Sequence, residues 1–117
     1  MKISYSNKKT EKICENQKQA IRELGKDVAI RLGDLLNAIE AFPCLYDMYG
    51  LPQYRMHPLS QNRKYQYSFV IDKRYKWRLI VYPLDNDGKL LTDNSNEKVM
   101  LIKAVRVEIL EVSEHYD

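Results

Sequence analysis

Two stretches of strict alternation, joined by a basic turn, constrain the fold of this chain more than anything else in it. Tyr65, Tyr67, Phe69 and Ile71 fall on one face of an extended segment, and Gln66, Ser68 and Val70 on the other. Trp77, Leu79 and Val81 alternate in the same way with Arg78, Ile80 and Tyr82. A period of two, repeated across a short turn, specifies antiparallel strands. The pattern predicts strands over residues 54–59, 65–72 and 75–82.

Upstream the period changes. Ile13, Ala20, Ile21 and Leu24 recur at helical spacing, which predicts one amphipathic helix over about residues 7–24, capped by Ser6 or Asn7 and stopped by Gly25. Val28, Leu32, Leu35, Leu36 and Ile39 form a second stripe, ended before Pro43 at about Ala41. The tight connection at Gly25 makes the two helices a hairpin. Residues 43–53 read as an irregular loop whose aromatic residues pack onto the helices. Lys2–Tyr5 is a short strand.

Past Tyr82, Asp85-Asn86-Asp87-Gly88-Lys89 and Asp93-Asn94-Ser95-Asn96 are turn signals, so residues 85–97 read as an exposed excursion. A long last strand places Val105, Val107 and Ile109 on one face, and its alternation slips at Leu110-Glu111-Val112, the mark of a bulge or a strand end. The expected fold is therefore α+β: one domain over residues 1–117, with an N-terminal strand and a helical hairpin packed on a four- to five-stranded, mainly antiparallel twisted sheet. The other face of the sheet is left for a ligand or a partner.

Composition matters chiefly through charge. The net charge of the 117 residues is only +3, but residues 55–78 hold seven Lys/Arg against one acid, Asp72, a net of +6. Residues 79–117 carry a net of −4. A basic sheet with tyrosines along its strands suits a polyanion with stackable rings, and RNA is the obvious one. Basic turns also keep any sheet in solution, so the charge alone admits a plain solvated surface. The two cysteines, Cys14 and Cys44, have no metal spacing and are expected as free thiols in a reducing cytoplasm. No apolar signal region opens the sequence, and the apolar run near Leu79–Leu84, broken by Pro83, is too short to span a membrane.

No phosphate-binding glycine loop, zinc spacing or nucleophile elbow is visible, and no cofactor is expected. Arg78 is the most informative charge. An unpaired arginine in mid-strand is costly to bury, so it lies on the open face as an anion site or pairs with an acid such as Glu108. His57 and His115 are the two histidines, each available for proton transfer near neutral pH or merely for packing.

The run His57-Pro58-Leu59, then Arg63, then Tyr67-Ser68-Phe69, followed by Trp77-Arg78-Leu79-Ile80, resembles the RelE/ParE superfamily of bacterial toxins. It is most similar to the HigB-like branch and its His-x-Leu-x-Gly-Asp-Arg-x-Gly pattern. The tail from Val107 to His115-Tyr116 and the helical hairpin fit as well. The resemblance implies the toxin of a type II toxin–antitoxin system, an endoribonuclease that cuts mRNA on or near the ribosome. It implies a helix-turn-helix antitoxin as partner, and a toxin–antitoxin complex that binds operator DNA. It casts Arg78 as the arginine on the scissile phosphate, His57 as the turn histidine, and His115 or Tyr116 as the terminal catalytic residue. Arg63, Lys64, Tyr65, Tyr67, Arg74 and Lys76 would bind RNA. The antitoxin has two candidate surfaces, the basic sheet face with Arg63, Lys64, Lys76 and Arg78 and the outer side of the hairpin with Lys12, Glu15, Arg22 and Arg31, of which the hairpin is the expected one. This chain departs from the pattern in having Gln61-Asn62 for Gly-Asp and Tyr65 for the second glycine, and Ser60, Gln66 and Ser68 where relatives carry lysines. Those departures leave open a non-catalytic module that only binds RNA or a partner. A gyrase-directed toxin of the same fold is the other alternative.

Overall fold

A computed structural model describes residues 1–74, 76–92 and 95–114. Five strands form one sheet in the order β1-β5-β4-β3-β2. They are β1 (Lys2–Tyr5), β2 (His57–Pro58), β3 (Tyr67–Val70), β4 (Trp77–Leu84) and β5 (Arg106–Glu114). β1 runs parallel to β5, and the other three pairings are antiparallel. The α+β architecture read from the sequence is therefore the one found.

The first helical stripe folds as two helices. α1 (Lys8–Glu15) and α2 (Gln17–Leu24) are separated at Asn16, which closes one and caps the other. Its side-chain oxygen accepts from Gln19 N at 3.1 Å. An asparagine that can bond the nearby backbone competes with the helix interior, and here the cap wins. Gly25 then turns the chain at φ +87°, a conformation that favours glycine, and α3 (Lys26–Ala41) starts at once. It ends at Ala41, as Pro43 requires.

Leu32, Leu35, Leu36 and Ile39 of α3 share one buried cluster with Tyr67, Phe69, Leu79, Val81, Val107 and Ile109 of the sheet. All six strand residues are odd-numbered, so the period of two puts the core on one face and leaves the other away from the helices.

The strands differ from expectation at their ends. Residues 54–59 give only a two-residue strand, because Arg55 adopts φ +42°. Residues 65 and 66 do not join β3, because Tyr65 adopts φ +74°. Between the excursion over residues 85–97 and β5 lies a helix that the periodicity did not suggest, α4 (Glu97–Lys103). Asn96 caps it by accepting from Val99 N at 3.2 Å. A seven-residue helix written Glu-Lys-Val-Met-Leu-Ile-Lys has no resolvable period. It buries Met100 and Leu101 in the core cluster, and Ala104, just beyond it, receives a bond from Leu45 N at 2.9 Å. The aromatic loop thus packs against α4 and β3, more than onto the hairpin. Tyr49 lies edge-on to Tyr67, with ring centroids 6.3 Å apart.

The alternation slip at Leu110 is a β-bulge. Ile80 pairs with Glu111 while Val81 pairs with Ile109, leaving Leu110 unpaired. The consequence is a change of parity along β5. Before the bulge odd residues face the core, as Val107 and Ile109 do. Beyond it Val112 packs against the core cluster, and Glu111 and Ser113 turn to the open face.

Candidate functional site

On the open face His57, Leu59, Arg63, Ser68, Arg78, Ile80, Glu111, Ser113 and Glu114 line a cavity of about 330 Å³. A shallower depression beside it is shared by Arg55, Met56, His57 and Arg78. Ser68, Arg78, Ile80, Glu111 and Ser113 arrive there by strand parity, and Arg63 reaches it from the short helical turn before β3. Arg78 lies opposite Val70 on β3 and Ser113 on β5, in the middle of the sheet. Glu108 is at the far end of that pairing, opposite Tyr82, so it is not the partner of Arg78.

The Arg78 Nε is buried and has no hydrogen-bond partner among the described residues. A guanidinium N–H withdrawn from water and left unbonded costs about 1–3 kcal/mol or more. An anion entering the cavity would recover that cost.

His57 is exposed, and its Nδ1 lies 3.0 Å from the Arg55 carbonyl oxygen. A carbonyl can only accept, so Nδ1 carries the hydrogen in this contact. In the neutral ring Nε2 is then the acceptor. Arg55 itself has a positive φ, +42°. Gln61 and Tyr65 are the other two non-glycine residues with positive φ, at +58° and +74°. These are the two positions where the toxin pattern has glycine. The backbone path that glycine serves is thus retained with other residues in it. All three outliers lie between Arg55 and Tyr65, around His57 and the basic turn, where strain is commonly stored at functional sites.

Charge in the cavity is balanced internally. Arg63 Nη2 lies 2.8 Å from Glu111 Oε1, and its Nη1 donates to Gln66 Oε1 at 3.1 Å. Gln66 in turn donates to the Tyr82 hydroxyl at 3.3 Å. Because Glu111 pairs with Ile80, the bridge crosses the sheet above β4. At the other end Lys76 Nζ lies 2.9 Å from Glu114 Oε2. Glu111, Ser113 and Glu114 were not singled out in the sequence. The slip at Leu110 is the signal for Glu111 and Ser113, since a bulge reverses which residues beyond it face away from the core.

The expected RNA-binding residues separate. Arg63 lies at the cavity. Lys64 is exposed, with its Nζ 5.2 Å from the centroid of the half-buried Tyr65 ring. Tyr67 is not available for stacking. It is 2 % exposed, and its hydroxyl donates to Glu97 Oε2 at 2.7 Å. Tyr49 donates to the other oxygen of Glu97 at 2.8 Å. Burial and then that bond hold the Tyr67 hydroxyl well above its ordinary pKa. Arg74 and Lys76 lie in a groove against α3 together with Arg31. Of the hairpin residues expected to face the antitoxin, Lys12, Glu15 and Arg22 are exposed and Arg31 is half-buried in this groove. His115 and Tyr116 lie outside the described residues. Both cysteines are free, and burial pushes the Cys14 thiol up to about 12. No helix among the described residues is long and apolar enough to cross a membrane.

A helical layer on one face of a five-stranded mixed sheet, with a cavity around a strand arginine on the other, is the arrangement found here. The chain is similar in structure to a YoeB/ParE toxin from Agrobacterium tumefaciens, with a TM-score of 0.57 over 99% of this chain and 100% of that one. Sequence identity is 14%, so the likeness is one of fold. No protein-family model matches the chain, and no curated protein does.

Proposed function

We propose that this protein is the toxin of a type II toxin–antitoxin system, an endoribonuclease of the HigB-like kind that cuts mRNA on or near the ribosome. The observation that carries the reading is the unbonded, buried Nε of Arg78, in a cavity shared with a histidine whose Nε2 is the acceptor. RNA cleaves when its 2′-oxygen attacks the adjacent phosphorus. His57 Nε2 takes the 2′-OH proton as that bond forms. Arg78 holds the phosphate oxygens and stabilises the charge that builds on them. The P–O5′ bond breaks with a proton given to the leaving oxygen by His115 or Tyr116, which follow directly on Glu114 of the cavity wall. The products are a 2′,3′-cyclic phosphate and a 5′-hydroxyl. A helix-turn-helix antitoxin holds the activity in check, and the complex binds operator DNA.

Induced expression in a bacterium is expected to arrest growth and shorten mRNA half-lives. Arg78→Ala restores growth, and circular dichroism shows the variant folded. In purified form the variant loses about 10²–10³-fold in cleavage rate, as expected for removing one preorganised charge donor. Wild-type protein that accumulates harmlessly without a partner sinks the reading. The internal charge balance of the cavity, with Gln66 and Ser68 at lysine positions, favours a second reading as a non-catalytic RNA-binding module. Tight RNA binding without cleavage would select it.

A further inference from the structure

We propose that the groove between the start of α3 and the β3–β4 turn is a second RNA subsite, which holds the phosphodiester backbone of the strand beyond the scissile phosphate. The proposal rests on the ribonuclease reading above. The groove encloses about 410 Å³. Arg31 lines it from α3, and Lys73, Arg74, Lys76 and Trp77 line it from the turn and the start of β4. Its two carboxylates are Asp27 and Asp72. Lys76 is paired with Glu114, so Arg31, Lys73 and Arg74 stand against two acids, a net of +1.

Neither acid forms an ion pair with these cations among the described residues. Asp72 Oδ1 is engaged by the backbone N–H groups of Lys76 and Trp77, at 2.9 and 2.8 Å. Asp27 lies in the first turn of α3, where the helix dipole favours a negative charge. Arg31, Lys73 and Arg74 form no ion pair among the described residues. In the Arg78 cavity both glutamates are already in ion pairs, Glu111 with Arg63 and Glu114 with Lys76 of the groove. The groove adds Arg31, Lys73 and Arg74, cations outside those pairs, to the anion-attracting charge of Arg78.

The two sites are contiguous. Lys76 lines the groove, and its Nζ meets Glu114, which lines the cavity. A strand leaving Arg78 passes this pair around the start of β4 and enters the groove. Trp77, half-buried there, offers an indole on which a base can stack. Cations spaced along a channel with an aromatic wall suit single-stranded nucleic acid, whose backbone contacts position it without reading sequence.

The test is binding of 2′-O-methyl oligonucleotides, which cannot cleave, at lengths of about three and about ten nucleotides. Wild type is expected to gain about tenfold or more in affinity on lengthening, with a salt dependence steeper by about one phosphate contact. Arg31→Glu abolishes that gain, Arg31→Gln reduces it, and both keep the wild-type circular dichroism spectrum. An equal affinity of wild type for the two lengths overturns the subsite and leaves the ribonuclease reading standing. Wild type that binds neither length overturns both. A length gain that survives Arg31→Glu, or an equal loss at both lengths, also overturns the subsite. So does a defect confined to ribosome binding or to an acidic peptide, which would give the groove to ribosomal RNA or to the antitoxin.

Discussion

Single residues of the strained turn have separable roles. Gln61 is held at φ +58° and is exposed, so its side chain contributes little packing to offset the conformation. Left-handed backbone costs a non-glycine residue about 1–2 kcal/mol, part of which glycine returns through the greater freedom of the unfolded chain. Gln61→Gly is expected to raise stability by about 0.5–1 kcal/mol in urea denaturation, with RNA cleavage retained. Glu111 acts differently. Its carboxylate occupies one side of the Arg63 guanidinium, where an RNA phosphate would otherwise bind. Both side chains are partly exposed, at 47% and 38%, so the bridge itself is worth no more than about 1 kcal/mol. Glu111→Gln removes an internal competitor and a repulsive charge. Affinity for a non-cleavable oligonucleotide is expected to rise about three- to fivefold at low salt, and the difference to shrink as salt is added. An unchanged or weaker affinity would mean that the bridge serves to position Arg63.

At the scale of elements, Glu97 ties three of them together. It starts α4, and its two carboxylate oxygens receive the hydroxyls of Tyr49 from the aromatic loop and Tyr67 from β3. Tyr67 is next to Ser68 on the cavity floor, so this anchor sets the strand on which the site is built. Glu97→Ala leaves the buried Tyr67 hydroxyl unbonded and is expected to cost about 2–3 kcal/mol in denaturant unfolding, against about 1 kcal/mol for Tyr67→Phe. The anchor also gives stability a sign with pH. The folded state holds the Tyr67 proton more tightly than the unfolded chain does, because of burial and then the Glu97 bond. Tyr49 is raised in the same sense, by the Glu97 bond first and then by burial. This contribution is complete below pH 10.0, the ordinary tyrosine value, and is lost as pH rises above it. Unfolding measured near neutrality and again above pH 10 is expected to show a smaller alkaline loss for Tyr67→Phe than for wild type.

The whole molecule separates core from site by strand parity. Phe69, Leu79, Val81, Val107 and Ile109 turn to the helices, while Ser68, Arg78, Ile80, Glu111 and Ser113 turn away from them. Its Cα radius of gyration, 13.4 Å, is about that of one compact unit of this length. The two basic regions meet at the start of β4, one on each side of the sheet end. The charge concentrated in residues 55–78 is thereby divided between the cavity and the groove, which the Lys76–Glu114 ion pair joins.

The sequence by itself determined whatever depends on local period and on short-range backbone chemistry. The stripe of α3 and its stop before Pro43, the core face of β3 and β4, the exit of Arg78 to the other face and the slip at Leu110 were all legible there. Each follows from where successive side chains point along one element. Only the tertiary structure decided which side chains meet. Glu111 reaches Arg63 because a bulge reverses its facing and the register sets it opposite Ile80. Tyr67 is lost to RNA because α4 brings Glu97 to its hydroxyl. Arg31 stands with Arg74 because α3 packs beside the β3–β4 turn. Period fixes the direction of a side chain, but its neighbours are set by register and packing between segments far apart in the chain, and those carry no local signal.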